Sequence, residues 1–330
     1  MKLKNISSIV RLFVTVLLVM FIYRFFSIQL DDLLRAAAAS NKMKLWASFA
    51  IMPLIMLLQM TKWFQLLKLA DEKIRFSDVA SSLLAGMTLG IITPARLGEL
   101  GRAWFLKDIP QLRVVGLTLV DKFYSTLAYF IWGLLSLIIF LNLNYSPALL
   151  TNMMLIAGIL FVYLLIAVAV LFPAKVGNTL ITLNKKLFRR EQLDEIASVI
   201  SSVKRKKVFL LIGLATSVWF LVVTELWLLL NAFSEVEFFT GVISASSAHF
   251  TKTLFPITFG ELGIREAAMV YFFNHLGVSE VASVAAALLM FALNVFLPSL
   301  IGAIFLKRLK IGRKITDSSE RLEQVHEEEE

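Results

Sequence analysis

The pattern of apolar and polar positions divides the chain into long apolar runs separated by short polar ones. A membrane-crossing helix needs roughly 20 mostly apolar residues, and six stretches qualify: 12–30, 45–67, 114–141, 149–172, 208–232 and 281–306. Two other stretches, 77–92 and 239–255, are shorter and rich in Gly, Ser, Ala and Thr, and each stops at a proline, Pro94 or Pro256. The residues after each proline are too polar for a second full crossing. The pattern predicts an all-α polytopic membrane protein with six transmembrane helices plus two re-entrant hairpins, 77–107 and 239–275. The apolar run at the N-terminus lacks a small-residue cleavage site and reads as a retained first span.

Composition narrows the class. Of 330 residues, 58% are hydrophobic and only 17% charged, against about 25% charged in soluble domains, so a soluble globule is excluded. The absence of cysteine excludes disulfides, thiolate metal sites and cysteine nucleophiles. His249, His275 and His326 are too scattered for a histidine-rich metal site, so no metal or cofactor is expected. The formal charge of +9 points to cytoplasmic loops, where basic residues concentrate, and not to a nucleic-acid partner.

That charge rule separates two topologies. With both weak segments crossing fully there are eight spans, and the stretch 173–207, with nine Lys and Arg, lies outside. With both as hairpins it lies inside, and the outside loops 142–148, 234–237 and 274–280 carry no Lys or Arg. Only Arg35, Lys42 and Lys44 break this second pattern. Six spans are therefore expected, in the cytoplasmic membrane, with both termini cytoplasmic. The stretch 173–207 reads as a basic linker forming an amphipathic helix on anionic lipid, and 307–330 as a solvated tail.

An internal repeat organises the chain. Pro94-x3-Gly98-Glu99-Leu100-Gly101 recurs as Pro256-x3-Gly260-Glu261-Leu262-Gly263, 162 residues later. Each copy follows a small-residue segment and precedes a long span, giving two membrane repeats, 1–141 and 149–306. Three crossings per repeat invert the second relative to the first, an architecture that places sites near the bilayer midplane between the halves. The hairpin turns are expected at Pro94, Gly98, Gly101, Pro256, Gly260 and Gly263.

Charged groups in a bilayer cost on the order of 3 kcal/mol and either pair or line cavities. The candidates are Arg96, Glu99, Arg102 and Lys122 in the first repeat, and Lys252, Glu261, Arg265 and Glu266 in the second. They bind a polar substrate or merely hold each hairpin shut. Glu261 and Arg265 are four apart and share a helical face. Lys252 lies three residues from His249, among Ser and Thr, and suits a phosphate headgroup or snorkels to the outer interface. Asp121 and Lys122 are adjacent, so each needs its own partner, and Lys122 can meet an acid of the first hairpin. Glu225 reads as an interfacial, solvated carboxylate, with proton coupling as the alternative.

The stretch Thr93-Pro-Ala-Arg-Leu-Gly-Glu-Leu-Gly-Arg102, followed by Leu119-Val-Asp-Lys-Phe123, resembles the first signature of the lysylphosphatidylglycerol synthase transmembrane family. Gly260-Glu-Leu-Gly-Ile-Arg-Glu-Ala-Ala268, then Leu276-Gly-Val-Ser279 and Pro298-Ser-Leu-Ile-Gly302, resembles the second. The family often has Arg where Lys122 stands and a basic residue near Met290. The resemblance implies the flippase-like membrane domain of lysylphosphatidylglycerol synthases. Only 16 residues follow Lys314, so synthesis of aminoacylated lipid is not expected, and the protein is not expected to be an enzyme.

The expectation is a lipid flippase or scramblase for a phospholipid, modified phospholipid or polyprenyl-phosphate-linked glycan, with membrane lipids as partners. The alternative is a non-transporting accessory of a separate glycosyltransferase or lipid-modifying enzyme. A small-solute or ion-coupled transporter is a third reading.

Overall fold

A computed structural model describes residues 31–33, 35–91, 93, 96–145, 173–187, 189–254 and 264–306. Its helices are α1 Lys42–Leu67, α2 Phe76–Ile91, a 3-10 helix Leu97–Phe105, α3 Gln111–Asn144, α4 Pro173–Leu187, α5 Glu191–Ser202, α6 Arg205–Phe233, α7 Phe238–Leu254, α8 Ile264–Asn274 and α9 Glu280–Phe305. A π turn, Ala292–Phe296, interrupts α9. Every regular element among the described residues is helical. Four helices, α1, α3, α6 and α9, are long and apolar enough to cross a membrane. They coincide with four of the expected spans; the other two, 12–30 and 149–172, lie outside the described residues, as do Pro94, Pro256, Gly260 and Gly263. At 16 residues, α2 is about 24 Å long, short of the roughly 30 Å hydrocarbon core.

Local chemistry sets where helices begin. Asn41 accepts the Lys44 amide at 3.2 Å ahead of α1, and Ser279 accepts that of Ala282 at 3.2 Å ahead of α9, both satisfying N–H groups that a helix leaves open. Glu237 does the same for α7, accepting the Phe239 and Thr240 amides at 2.8 Å each. The Thr240 amide above all, then that of Phe239, holds the Glu237 carboxyl below its ordinary pKa.

Hydrogen bonds fix the directions of the long helices. Lys207 donates to Gln65 at 2.6 Å where α1 ends and α6 begins. At their other ends the Asn41 amide donates to the Ala232 carbonyl at 2.7 Å, and Lys44 to Asn231 at 3.2 Å. α1 and α6 are therefore antiparallel neighbours. Arg113, at the start of α3, donates to the Leu69 carbonyl just past α1 at 2.8 Å. The chain from α2 through the 3-10 helix thus leaves and returns to one end of the bundle.

The second pair of short helices opens at the opposite end. Val236, just before α7, is fastened to the top of α6 by Asn231, which donates to its carbonyl at 2.9 Å. Past α8, His275 lies 2.8 Å from the Tyr145 hydroxyl beyond α3. α2 packs on the 3-10 helix and on the second half of α9, while α7 packs on α8 and α3. Each hairpin thus lies against the final long helix of the other half. The two larger apolar cores follow this division. One gathers Trp63, Leu66, Val79, Leu83, Val114 and Leu117 around α2; the other gathers Leu226, Leu229, Phe140, Phe272, Phe273 and Ala286 around α7 and α8.

The stretch 173–207 departs from expectation. It forms two helices folded on one another, α4 and α5, rather than one surface helix. Asn184 fastens the bend, donating to the Arg190 carbonyl at 2.7 Å and to Asp194 at 2.8 Å. α5 rests on α3 at Gly116, where a Cβ would meet Val199 at 2.9 Å. Arg189 supplies the reversal with φ 52.

α2 and α9 touch at backbone distance. A Cβ on Gly302 would lie 2.0 Å from the Leu84 carbonyl oxygen, and Thr88 donates across the same contact to the Ser299 carbonyl at 2.6 Å. Overpacking of this kind costs about 1–3 kcal/mol. Gly302→Ala is expected to lower the melting temperature of the detergent-solubilised protein by several degrees; an unchanged melt would show that α2 and α9 separate freely.

Candidate functional site

The first P-x3-G-E-L-G copy folds, from Leu97, as a 3-10 helix, in which residues three apart lie above one another. That period sorts the motif into faces. Gly98 and Gly101 face α2: Cβ atoms there would meet the Leu89 carbonyl oxygen at 2.0 Å and the Leu89 side chain at 2.6 Å. Arg96, Glu99 and Arg102 form a neighbouring row of alternating charge. Thr93 caps the turn, its hydroxyl accepting the Gly98 amide at 2.7 Å. The two glycines expected in the turn sit instead within the helix, where their lack of a side chain permits close packing on α2.

The row closes onto α1 and α3. Arg96 meets Glu99 at 2.7 Å, and Arg102 meets Glu99 and Asp121 at 2.9 Å each. Lys122 reaches Glu99 at 3.0 Å and Lys62 reaches Asp121 at 3.0 Å. Lys62 also donates to Ser125, whose hydroxyl donates to the Asp121 carbonyl at 2.8 Å. α2 makes room for these side chains with glycine. A Cβ at Gly86 would strike Arg102 Cγ at 2.5 Å, and one at Gly90 would strike Glu99 Cγ at 2.9 Å. The Arg102 guanidinium lies 4.9 Å from the Trp63 ring centroid, a favourable cation–π distance, and Trp63 is held by its bond to Ser82 at 3.0 Å.

Two properties define what this cluster can do. Among the described residues four cations, Lys62, Arg96, Arg102 and Lys122, gather on two carboxylates, Glu99 and Asp121. Its members also differ in exposure: the side chains of Lys62, Arg102, Glu99 and Asp121 are 4–8% exposed, against 22% for Arg96 and 30% for Lys122. The inner four form a lattice, and the outer two present positive charge at its accessible edge. Arg96 holds φ 54 and ψ 34, a left-handed conformation unusual for a residue with a side chain and of a kind that collects at ligand sites.

The remaining candidates lie elsewhere. Arg265 and Glu266 are buried and bonded to one another at 2.6 Å, with Arg265 4.8 Å from the Phe291 ring centroid. Glu261, the expected partner of Arg265, lies outside the described residues. Lys252 is half-buried on α7. That helix runs along α3 so that His249 stacks on Tyr129 and Phe250 packs against Phe130 and Gly133, which brings Lys252 to within about two turns of Lys122 along the axis. Glu225 is fully buried, at 0% exposure, and bonded to Asn294 at 2.5 Å, which overturns its reading as a solvated interfacial residue. Lys62 was not among the expected site residues; the signal was a lone cation inside the apolar run 45–67.

A bundle of apolar helices closed around a buried charge lattice defines a multi-pass helical membrane protein. The chain belongs to the lysylphosphatidylglycerol synthase TM region family, whose profile matches residues 8–302. It is 22% identical over 340 aligned positions to a UPF0104 membrane protein of Methanocaldococcus jannaschii, covering 94% of this chain and 97% of that protein. No solved structure matches the chain.

Removing one partner of a buried ion pair costs about 3–5 kcal/mol because the other charge is stranded. Asp121→Asn leaves both Lys62 and Arg102 short of an anion. It is expected to destabilise the protein more than Lys122→Gln, which removes a partly hydrated partner. Ranking the two by thermal melting checks this order; equal melts would show that the lattice does not hold the fold.

Proposed function

We propose that this protein is a lipid flippase or scramblase, without enzymatic activity of its own, that moves a polar lipid with an anionic phosphate headgroup between leaflets. The observation that carries this reading is the gathering of four cations around two carboxylates among the described residues, with Arg96 and Lys122 at the more exposed edge. Cations held among apolar helices pair or line polar cavities, and those at the exposed edge are placed to meet an anion. A headgroup crosses hydrocarbon slowly because its polar groups lose their hydrogen bonds; Arg96 and Lys122 replace those bonds while the acyl chains stay in lipid. Lys252, arriving from the opposite hairpin, offers the next cation along the path.

The architecture supports the same reading. The two hairpins open to opposite ends of the bundle, as an inverted repeat of six crossings with two re-entrant hairpins requires. The antiparallel pairing of α1 with α6 favours this over eight crossings, which would set the two helices parallel. The end bearing α4, α5, Lys68 and Arg113 is the cytoplasmic one by its basic residues. On this topology the first hairpin enters from the cytoplasm and the second from outside, in the cytoplasmic membrane, with both chain termini cytoplasmic.

The test is reconstitution of the full chain into phosphatidylcholine vesicles carrying a trace of fluorescent phosphatidylglycerol, with dithionite reduction reporting lipid that reaches the outer leaflet. The wild type is expected to exceed protein-free vesicles. Arg96→Gln and Lys122→Gln are each expected to slow movement about tenfold or more, the worth of one charged hydrogen bond. A wild type no faster than empty vesicles refutes transport and favours the accessory role beside a separate lipid-modifying enzyme.

A further inference from the structure

Glu225 stands outside the lattice and does nothing for it. Its side chain is fully buried within α6, a helix long and apolar enough to cross the membrane. Among the described residues its bonding partner is the Asn294 amide, which donates to Oε2 at 2.5 Å; Oε1 is buried with no hydrogen-bond partner. A carboxylate kept for structure is paired with a cation or several donors, because an uncompensated charge at this depth is costly.

The charged and titratable groups on the helices around it are committed elsewhere. On α1, Lys44 bonds Asn231 and Lys62 bonds Asp121. On α3, Asp121 and Lys122 belong to the lattice. On α7, His249 contacts Met290, and Lys252 lies a turn further from the α6 terminus. On α8, Arg265 and Glu266 bond one another, and on α9 Glu280 sits at the helix start. No cluster of three or more His, Cys, Asp or Glu suited to a metal ion occurs among the described residues.

Asn294 is suited to both charge states of an acid. Its amide nitrogen donates to Oε2, and its own Oδ1 is buried without a partner, so rotation of the amide lets it accept a hydrogen bond from a carboxylic O–H. It sits in the π turn of α9, the kind of helical irregularity found at functional sites. The same side chain reaches the Met290 carbonyl at 3.4 Å, and Met290 Sδ lies 3.3 Å from His249 Nε2 on α7. A change at Glu225 therefore has a bonded route into the second hairpin.

We propose that Glu225 carries the proton that couples lipid movement to a proton gradient. Hydronium at one face gives its proton to Oε1, forming the O–H bond and leaving water. Water at the other face takes the proton, breaking that bond, and no other covalent bond changes. This inference rests on the transport reading for its cargo, but not for the protonation of Glu225.

The experiment uses the full chain in phosphatidylcholine vesicles with fluorescent phosphatidylglycerol, with and without a pH gradient, alongside infrared spectra of the purified protein across pH. The wild type is expected to distribute the lipid unequally when a gradient is imposed, and to show a protonated-carboxyl band that titrates. Glu225→Gln is expected to move lipid without responding to the gradient and to lose that band. Asn294→Ala, which keeps the acid, is expected to displace the midpoint of the response without abolishing it, and serves if Glu225→Gln fails to fold. Wild-type movement that ignores the gradient overturns the coupling alone. A carboxyl band unchanged in Glu225→Gln overturns Glu225 as the carrier. Absence of lipid movement in the wild type overturns the transport reading and, with it, the coupling, while the infrared titration still decides whether Glu225 exchanges a proton.

Discussion

Charge buried among apolar helices must be answered by charge, and the first half of this protein is arranged around that requirement. Asp121 and Glu99 are nearly dry, and each is held by more than one cation. The geometry that brings those cations in dictates much else. A 3-10 return places Glu99 and Arg102 in one row; an α-helix would set residues three apart about 60° apart around its axis. Gly86 and Gly90 must be glycine because the row lies where their side chains would be. Trp63 is buried beneath Arg102 and oriented by Ser82, and Lys62 is drawn into a stretch of helix that is otherwise uncharged.

The halves share a plan and differ in chemistry. Each hairpin packs on the last long helix of the other half, so neither half closes its own core. Among the described residues the first half gathers four cations on two carboxylates, whereas the second carries the bonded pair Arg265–Glu266 and the acid Glu225 held by Asn294.

The sequence made the skeleton legible because hydrophobic runs report membrane thickness directly: 45–67, 114–141 and 208–232 lie within helices of nearly those bounds, and 281–306 ends one residue past its helix. The first copy of the duplicated motif holds Arg96 and Glu99 of the charge lattice, and the adjacency of Asp121 and Lys122 foretold separate partners, with Lys122 reaching Glu99 as depth suggested. The misses have physical causes. A 3-10 helix and an α-helix share the same apolar pattern over nine residues, so the face assignment of Gly98 and Gly101 could not be read. Glu225 was misjudged because position along a span reports depth, whereas burial depends on which neighbours surround it. Lys62 was overlooked because one cation barely alters the mean hydropathy of a 23-residue run, although its cost there is local and large. The linker bends because Asn184 finds partners six and ten residues away, a contact that no periodicity encodes.

Regular α-geometry fails at two functional points, in opposite ways. At the first motif the helix tightens to three residues per turn, concentrating side chains into a row and drawing charges together into a rigid lattice. In α9 it loosens into a π turn that carries Asn294, bonded to Glu225. A tightened helix suits a group whose charges must stay fixed to receive a ligand. A loosened one suits a group whose bonding must change as a proton arrives and leaves. The two irregularities lie on different halves, yet α2 is keyed to α9 through Gly302 and Thr88, so rearrangement in the π turn acts on the helix that cradles Arg102 and Glu99. The lattice and Glu225 are thereby joined through packed backbone, which gives the proposed coupling between them a mechanical path.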